Sequence, residues 1–155
     1  MKTRILPLLL SLLLPGCRGD GVEGLPLPDQ MDMAAISRPR SPNTALAAPA
    51  AFHLKPDIVT RRYQVPPDQL YAAIRTVALA QPRTYDHRAF DAVRQAHFVA
   101  RSAWLNFPDL ITVQVTAESD LVLWSRSVYG DSDFGVNRTR LEAWLAALDT
   151  RLAAR

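Results

Sequence analysis

The stretch Leu121–Leu148, LVLWSRSVYGDSDFGVNRTRLEAWLAAL, leaves this chain few ways to fold. Leu121 to Val128 is apolar and β-prone. A polar loop carrying Gly130 and Gly135 follows, and it runs directly into a helical pattern from about Asn137 to Ala153. There Leu141, Trp144, Leu145, Leu148 and Leu152 fall on one stripe, while Glu142, Asp149, Arg151 and Arg155 lie off it. A strand delivered by a short loop into a one-sided helix has to pack that helix against a sheet.

Upstream, the pattern supplies the rest of the sheet. Ile111, Val113 and Val115 alternate with Thr112, Gln114 and Thr116, and Ala117–Asp120 makes a hairpin turn into Leu121. Arg83–Phe90 and Gln95–Trp104 are less regular strands joined by Asp91–Arg94, and Asn106-Phe107-Pro108-Asp109 is a turn. Asp57–Val65 suits a first strand. Pro66-Pro67-Asp68 opens a helix, with proline tolerated in the first turn and an acid favoured at its positive end. Leu70, Ile74, Val77 and Ala78 share one face of that helix, and Pro82 closes it. The order strand, helix, four antiparallel strands, helix predicts an α+β fold: an antiparallel sheet of about five strands with both helices on one face. In the last strand Trp124 shares a face with Val122 and Arg126, opposite Leu121 and Leu123. Both faces are partly apolar, so the pattern leaves open which one meets the helices.

The N-terminus reads as an address. Met1–Arg4 is basic, Ile5–Leu14 is apolar and Leu-rich, and Leu14-Pro15-Gly16-Cys17 follows. A basic start, a short apolar run and a small residue before the cut make a secretory signal over residues 1–16. The apolar run is too short for a permanent span. Cys17, the chain's only cysteine, falls at the cut. Leu14, Gly16 and Cys17 resemble the lipobox of bacterial lipoproteins, with Pro15 departing from the usual small residue. The resemblance implies a diacylglycerol thioether on Cys17, with acyl chains of the palmitate kind. Each buried CH₂ adds about 0.8 kcal/mol, so two or three chains anchor a protein stably. Arg18 follows, with no acidic retention signal for the inner membrane, so the expected location is the cell envelope, the outer membrane favoured. One cysteine also excludes an internal disulfide framework or a Cys-based metal cage.

Residues 18 to about 56 carry six prolines and hold no helical or alternating period. Gly19–Ser37 reads as a flexible tether, giving residues 17–37 as lipidated cysteine and tether and 38–155 as one domain. Within Arg38–Pro56, Ala45–Ala51 has helical propensity but is boxed in by Pro42 and Pro49; an extended segment laid along the domain fits as well.

Three stretches carry a family likeness. They are Arg40-Ser41-Pro42-Asn43; Arg101-Ser102 with Phe107-Pro108-Asp109; and Ser125-Arg126-Ser127 through Gly130, Ser132-Asp133-Phe134-Gly135-Val136-Asn137-Arg138 to Arg140. From about Arg38 to the C-terminus the chain resembles the domain of unknown function 1499 family, bacterial proteins that often carry lipoprotein signals. The resemblance implies a shared fold and brings no established activity, cofactor or catalytic residue.

The chemistry-bearing residues narrow the function by exclusion. Without the leader's Lys2 and Arg4, 16 basic residues face 15 acidic ones, and Lys55 is the single lysine left. No basic block marks a nucleic-acid partner. Gly130-Asp131-Ser132 looks like a lipase-type nucleophile block, but no histidine follows His97 to serve it. No G-x-S-x-G elbow, P-loop or H-E-x-x-H occurs. His87 and His97 flank the first hairpin turn and can face each other across it; a metal would need Asp86 or Asp91 as a third ligand, and no metal is expected. Trp104, Trp124 and Trp144 can line a groove, although Trp144 belongs to the helix stripe.

The candidate network for an anionic ligand, or for structure alone, is Arg101, Ser125, Arg126, Asp133, Asn137, Arg138 and Arg140. Arg138 and Arg140 fall near the positive end of the last helix, where cations need an anionic counterpart. A closed network would have Asp133 pair with Arg126 or Arg138 and Asn137 cap the helix. A pocket would leave the arginines for a carboxylate or phosphate. The expected function is a non-catalytic binding or scaffolding module on a lipid anchor, taking a small apolar or anionic ligand. The alternative is a hydrolase or transferase at the Ser125–Arg140 junction, built around Arg126, Ser132 and Asp133.

Overall fold

The computed structural model describes residues 19, 21–25 and 28–154. Its frame is a six-stranded sheet: β1 (Thr44–Ala48), β2 (Ile58–Val59), β3 (Thr84–Phe90), β4 (Gln95–Arg101), β5 (Pro108–Val115) and β6 (Leu121–Ser127), in spatial order β2-β1-β6-β5-β4-β3. Helices α1 (Pro67–Leu79) and α2 (Val136–Ala153) complete the α+β fold. β3 to β6 form the expected meander, and β1 pairs antiparallel with β6. The β1–β2 pair is parallel, which makes the sheet mixed.

The sixth strand is the alanine-rich stretch whose helical propensity competes with its prolines. TALAA becomes β1 because its neighbours decide. Ala45, Leu46, Ala47 and Ala48 are all buried, and small side chains let α2 approach closely on one face. The expected first strand shrinks to two residues. Thr60 still donates its amide to the Ala48 carbonyl, 2.9 Å. Beyond it the chain leaves the sheet: Arg61 pairs with Asp149 at 2.8 Å and Tyr63 turns into the core.

Both helices lie on one face. The main core joins Leu70, Ile74 and Val77 of α1 and Leu141, Trp144 and Leu148 of α2 to Phe98, Ile111, Val113, Leu121 and Leu123. The face of β6 that meets the helices is therefore that of Leu121 and Leu123. Trp124 and Val122 look the other way, into a smaller cluster with Leu46, Met33 and Ile36.

Met33 and Ile36 belong to the stretch read as a flexible tether, which is laid across the helix-free face. The missing signal is side chain to backbone bonding. The buried Gln95 amide accepts from the Met31 N–H at 2.7 Å and donates to the Met31 carbonyl at 2.8 Å, acting as a surrogate strand. His97 Nε2 meets the Asp29 carbonyl at 3.1 Å, and Arg101 Nε donates to that of Gly21 at 2.7 Å. Few apolar side chains are needed when the sheet offers polar ones to irregular backbone.

Candidate functional site

Strand alternation divides the candidate residues between the two faces of the sheet. On the helix face, Ser125 sits two residues beyond Leu123 and is fully buried. Its hydroxyl donates to Asn137 Oδ1 at 2.5 Å. Arg140 Nη1 donates to Asn137 Oδ1 at 2.7 Å and to Ser125 Oγ at 3.1 Å, and its Nη2 donates to Asp109 Oδ2 at 2.6 Å. The Asn137 amide nitrogen reaches the Asn43 carbonyl at 2.9 Å and Ser127 Oγ at 3.0 Å. The Arg140 and Asp109 side chains are only 13% and 9% exposed. This is a closed network, with each charge answered at hydrogen-bond distance.

The loop into α2 is arranged differently from the sequence expectation. Asn137 is no N-cap: α2 starts at Val136, and Asn137 is buried inside its first turn. Asp133 takes the capping work instead. Its carboxylate accepts from the Gly135 N–H at 3.0 Å and the Asn137 N–H at 2.7 Å, so it pairs with neither Arg126 nor Arg138. Gly135 has φ +81°, a left-handed conformation that glycine takes without strain. Arg138 points outward to Glu142, 2.9 Å away on the next turn. Among the described residues, the Ser132 hydroxyl is engaged by the Phe134 N–H alone. The proton of Ser125 goes to an amide oxygen, which is no base, and the three histidines bond or stack elsewhere: His53 to the Ile36 carbonyl, His97 to Thr112 and Asp29, His87 beside His97.

Arg126 stands apart. It follows Val122 and Trp124 on the helix-free face, opposite Thr44 of β1 and Leu110 of β5. Among the described residues its guanidinium has no hydrogen-bond or ion-pair partner. Its guanidinium lines a cavity of about 560 Å³ between the sheet and the N-terminal segment. Ser37, Ser41, Asn43, Thr44 and Ser127 supply polar walls, and Asp32 a carboxylate that accepts from the Ala34 N–H at 2.9 Å; Met31, Ile36 and Trp124 supply apolar walls. Burial lowers the Arg126 pKa below the usual arginine value, the sign of a charge with too little solvation. It stays protonated all the same. Arg101, on the same face but on β4, clasps the carbonyls of Gly21, Glu23 and Asn106 and forms no part of this cavity.

His87 falls at the β3 bulge, with its ring centroid 6.5 Å from that of His97. The proposed third ligands are occupied: Asp86 pairs with Arg75, and Asp91 takes Arg75 and the Tyr71 hydroxyl. Cys17 and the leader lie outside the described residues. Among those described, no helix is long and apolar enough to cross a membrane.

The sequence reading missed Asp109 as a partner. A signal was present: Asp109 is in phase with Ile111, Val113 and Val115, so it had to face the core, and an acid there demands a cation.

Residues 36–148 match a family of proteins of unknown function, DUF1499. The chain belongs to this family. No curated protein and no solved structure matches it. The match takes in β1, α1, the junction network and α2 as far as Leu148, and it starts at Ile36, so most of the segment laid across the helix-free face precedes it.

Proposed function

We propose that this DUF1499 protein is a lipid-anchored binding module of the bacterial cell envelope, held by acyl chains on Cys17, with the outer membrane favoured. Its domain takes a small amphipathic anion in the Arg126 cavity and carries out no reaction on it. The observation that carries this reading is the Arg126 guanidinium, which has no partner among the described residues. A half-buried charge without a counter-ion has lost part of its hydration, and an anionic ligand offsets that loss. The half-apolar wall of Met31, Ile36 and Trp124 matches a ligand with a hydrocarbon part beside its carboxylate or phosphate.

The test uses thermal melting with added glycerol 3-phosphate, inorganic phosphate and octanoate. A ligand at a hundred times its Kd stabilises by about 2.7 kcal/mol. Arg126→Gln should leave the midpoint of the free protein unchanged or slightly raised and remove the anion-dependent rise. A variant that melts much lower without ligand, or that keeps the full rise, refutes the anion site.

A further inference from the structure

The end of the sheet where β4 leaves and β5 enters carries the most exposed apolar surface among the described residues. Trp104 is 96% exposed, with Leu105 and Phe107 beside it, and Phe134 is 95% exposed on the facing loop before α2. The two loops border an apolar groove of about 510 Å³. Phe134 also holds φ +52°, a left-handed conformation that a bulky side chain rarely adopts. Nothing in the fold of the domain gains from aromatic rings standing in solvent at these positions.

The chain itself says what lies next to this surface. Asn106, between Leu105 and Phe107, donates its amide N–H to the Gly19 carbonyl at 3.0 Å. Arg101 holds Gly21 and Glu23 in the same place. Cys17 is two residues before Gly19, and two residues span at most about 7 Å. An anchored Cys17 therefore puts the bilayer beside the loop of Trp104, Leu105 and Phe107, with no length of chain to hold the domain away.

We infer that this loop face docks on the membrane surface that holds the anchor, with Trp104 and Phe134 seated at the level of the lipid headgroups. Tryptophan suits that depth: its ring is apolar and its N–H still finds polar partners. Docking fixes the domain's orientation and turns the groove between the two loops toward lipid. The inference rests on the lipid anchor at Cys17 and is independent of what fills the Arg126 cavity.

The experiment takes the mature full chain from a host that processes lipoproteins. It is reconstituted into vesicles of phosphatidylethanolamine and phosphatidylglycerol, with and without bromine on the acyl chains. Trp124 and Trp144 are buried and act as an internal reference. Bromolipid should quench part of the tryptophan emission and vesicles should shift that part to the blue; Trp104→Ala should lose both effects at an unchanged melting midpoint. Phe134→Ser, with Trp104 retained, should reduce the quenching. Mass spectrometry of the N-terminal peptide separates the two claims. An acylated Cys17 with unquenched Trp104 overturns the docking and leaves the anchor standing. A peptide without acyl chains overturns both. A blue shift that follows protein concentration rather than lipid assigns the face to a second copy of the chain and overturns the docking.

Discussion

The two faces of the sheet are covered by opposite strategies. On the helix face, two regular helices bring large side chains, Leu70, Ile74, Leu141, Trp144 and Leu148, to a continuous apolar core. Its buried ion pair, Arg140 with Asp109, is sealed by Ser125 and Asn137. On the other face an irregular segment is held largely by polar side chains of the sheet reaching for its backbone: Gln95 to Met31, His97 to Asp29, Arg101 to Gly21 and Glu23. Apolar burial there consists of a small cluster around Trp124, with Val99 and Leu110 buried beside it. The difference teaches where stability and adaptability lie. A closed core opens only with the whole domain, whereas an irregular backbone held by side-chain hydrogen bonds and little apolar burial opens locally at lower cost.

The largest expected effect is at the buried ion pair. Asp109→Ala leaves Arg140 buried beside two neutral partners and should destabilise the domain by about 3–5 kcal/mol. Denaturant titration measures it. A loss well under 1 kcal/mol would mean that Ser125 and Asn137 solvate the guanidinium by themselves. The contrasting case is the exposed Arg138–Glu142 pair, where Glu142→Ala should cost a few tenths of a kcal/mol.

Next comes a direct comparison of apolar burial on the two faces. Leu148→Ala empties the middle of the α2 stripe and should cost about 2–5 kcal/mol. Ile36→Ala removes a side chain from the thin cover on the opposite face and should cost about 1 kcal/mol. Equal shifts in melting midpoint would show that the N-terminal segment is as integral to the domain as α2, and the contrast between the faces would collapse.

The helix face was legible in the sequence because periodicity reports burial. The stripes of α1 and α2 and the alternation of Ile111, Val113 and Val115 each gave the correct inward side. What escaped was decided by contacts between distant residues. TALAA is a strand only because β6 and α2 are there to bury it, and local propensity opposes that outcome. The segment before Ser37 has no period to read, because what holds it is the side-chain chemistry of Gln95, His97 and Arg101. At the junction, Ser125, Asn137 and Arg140 do meet, but the loop geometry decided the rest. Asp133 caps α2 where Asn137 was expected to, and Arg126 falls on the opposite face from Arg140. That last separation was implicit in the strand pattern: Arg126 is in phase with Trp124, and Ser125 with Leu123.

The smallest effect on global stability, and the sharpest test of the two-face contrast, is expected from His97. The ring is buried between Thr112 Oγ1, 3.0 Å from Nδ1, and the Asp29 carbonyl, 3.1 Å from Nε2. A carbonyl can only accept, so Nε2 carries the proton and Nδ1 accepts from the Thr112 hydroxyl. Burial holds the His97 pKa below its ordinary 6.5, helped by His87, Arg126 and Arg88 and opposed by the bond to the Asp29 carbonyl. With the folded value below the unfolded one, the unfolded chain binds more protons in the window between them. The contribution of His97 is therefore fully present above pH 6.5 and is lost as pH falls through the folded value. Protonation puts a charge in a poorly solvated site beneath the N-terminal segment and obliges the Thr112 hydroxyl to turn from donor to acceptor. The Met31 N–H, which rests on Gln95 of the same strand, should then lose hydrogen-exchange protection below pH 6.5, after correction for the intrinsic rate. The Ile111 and Val113 amides in β5 should keep theirs. His97→Phe should flatten the pH dependence at Met31 while the exposed-side His87, also shifted down by burial, is left in place. Parallel loss at Met31 and Ile111 would mean that the segment and the sheet open as one unit, and that the polar side chains of the helix-free face bind as firmly as the core.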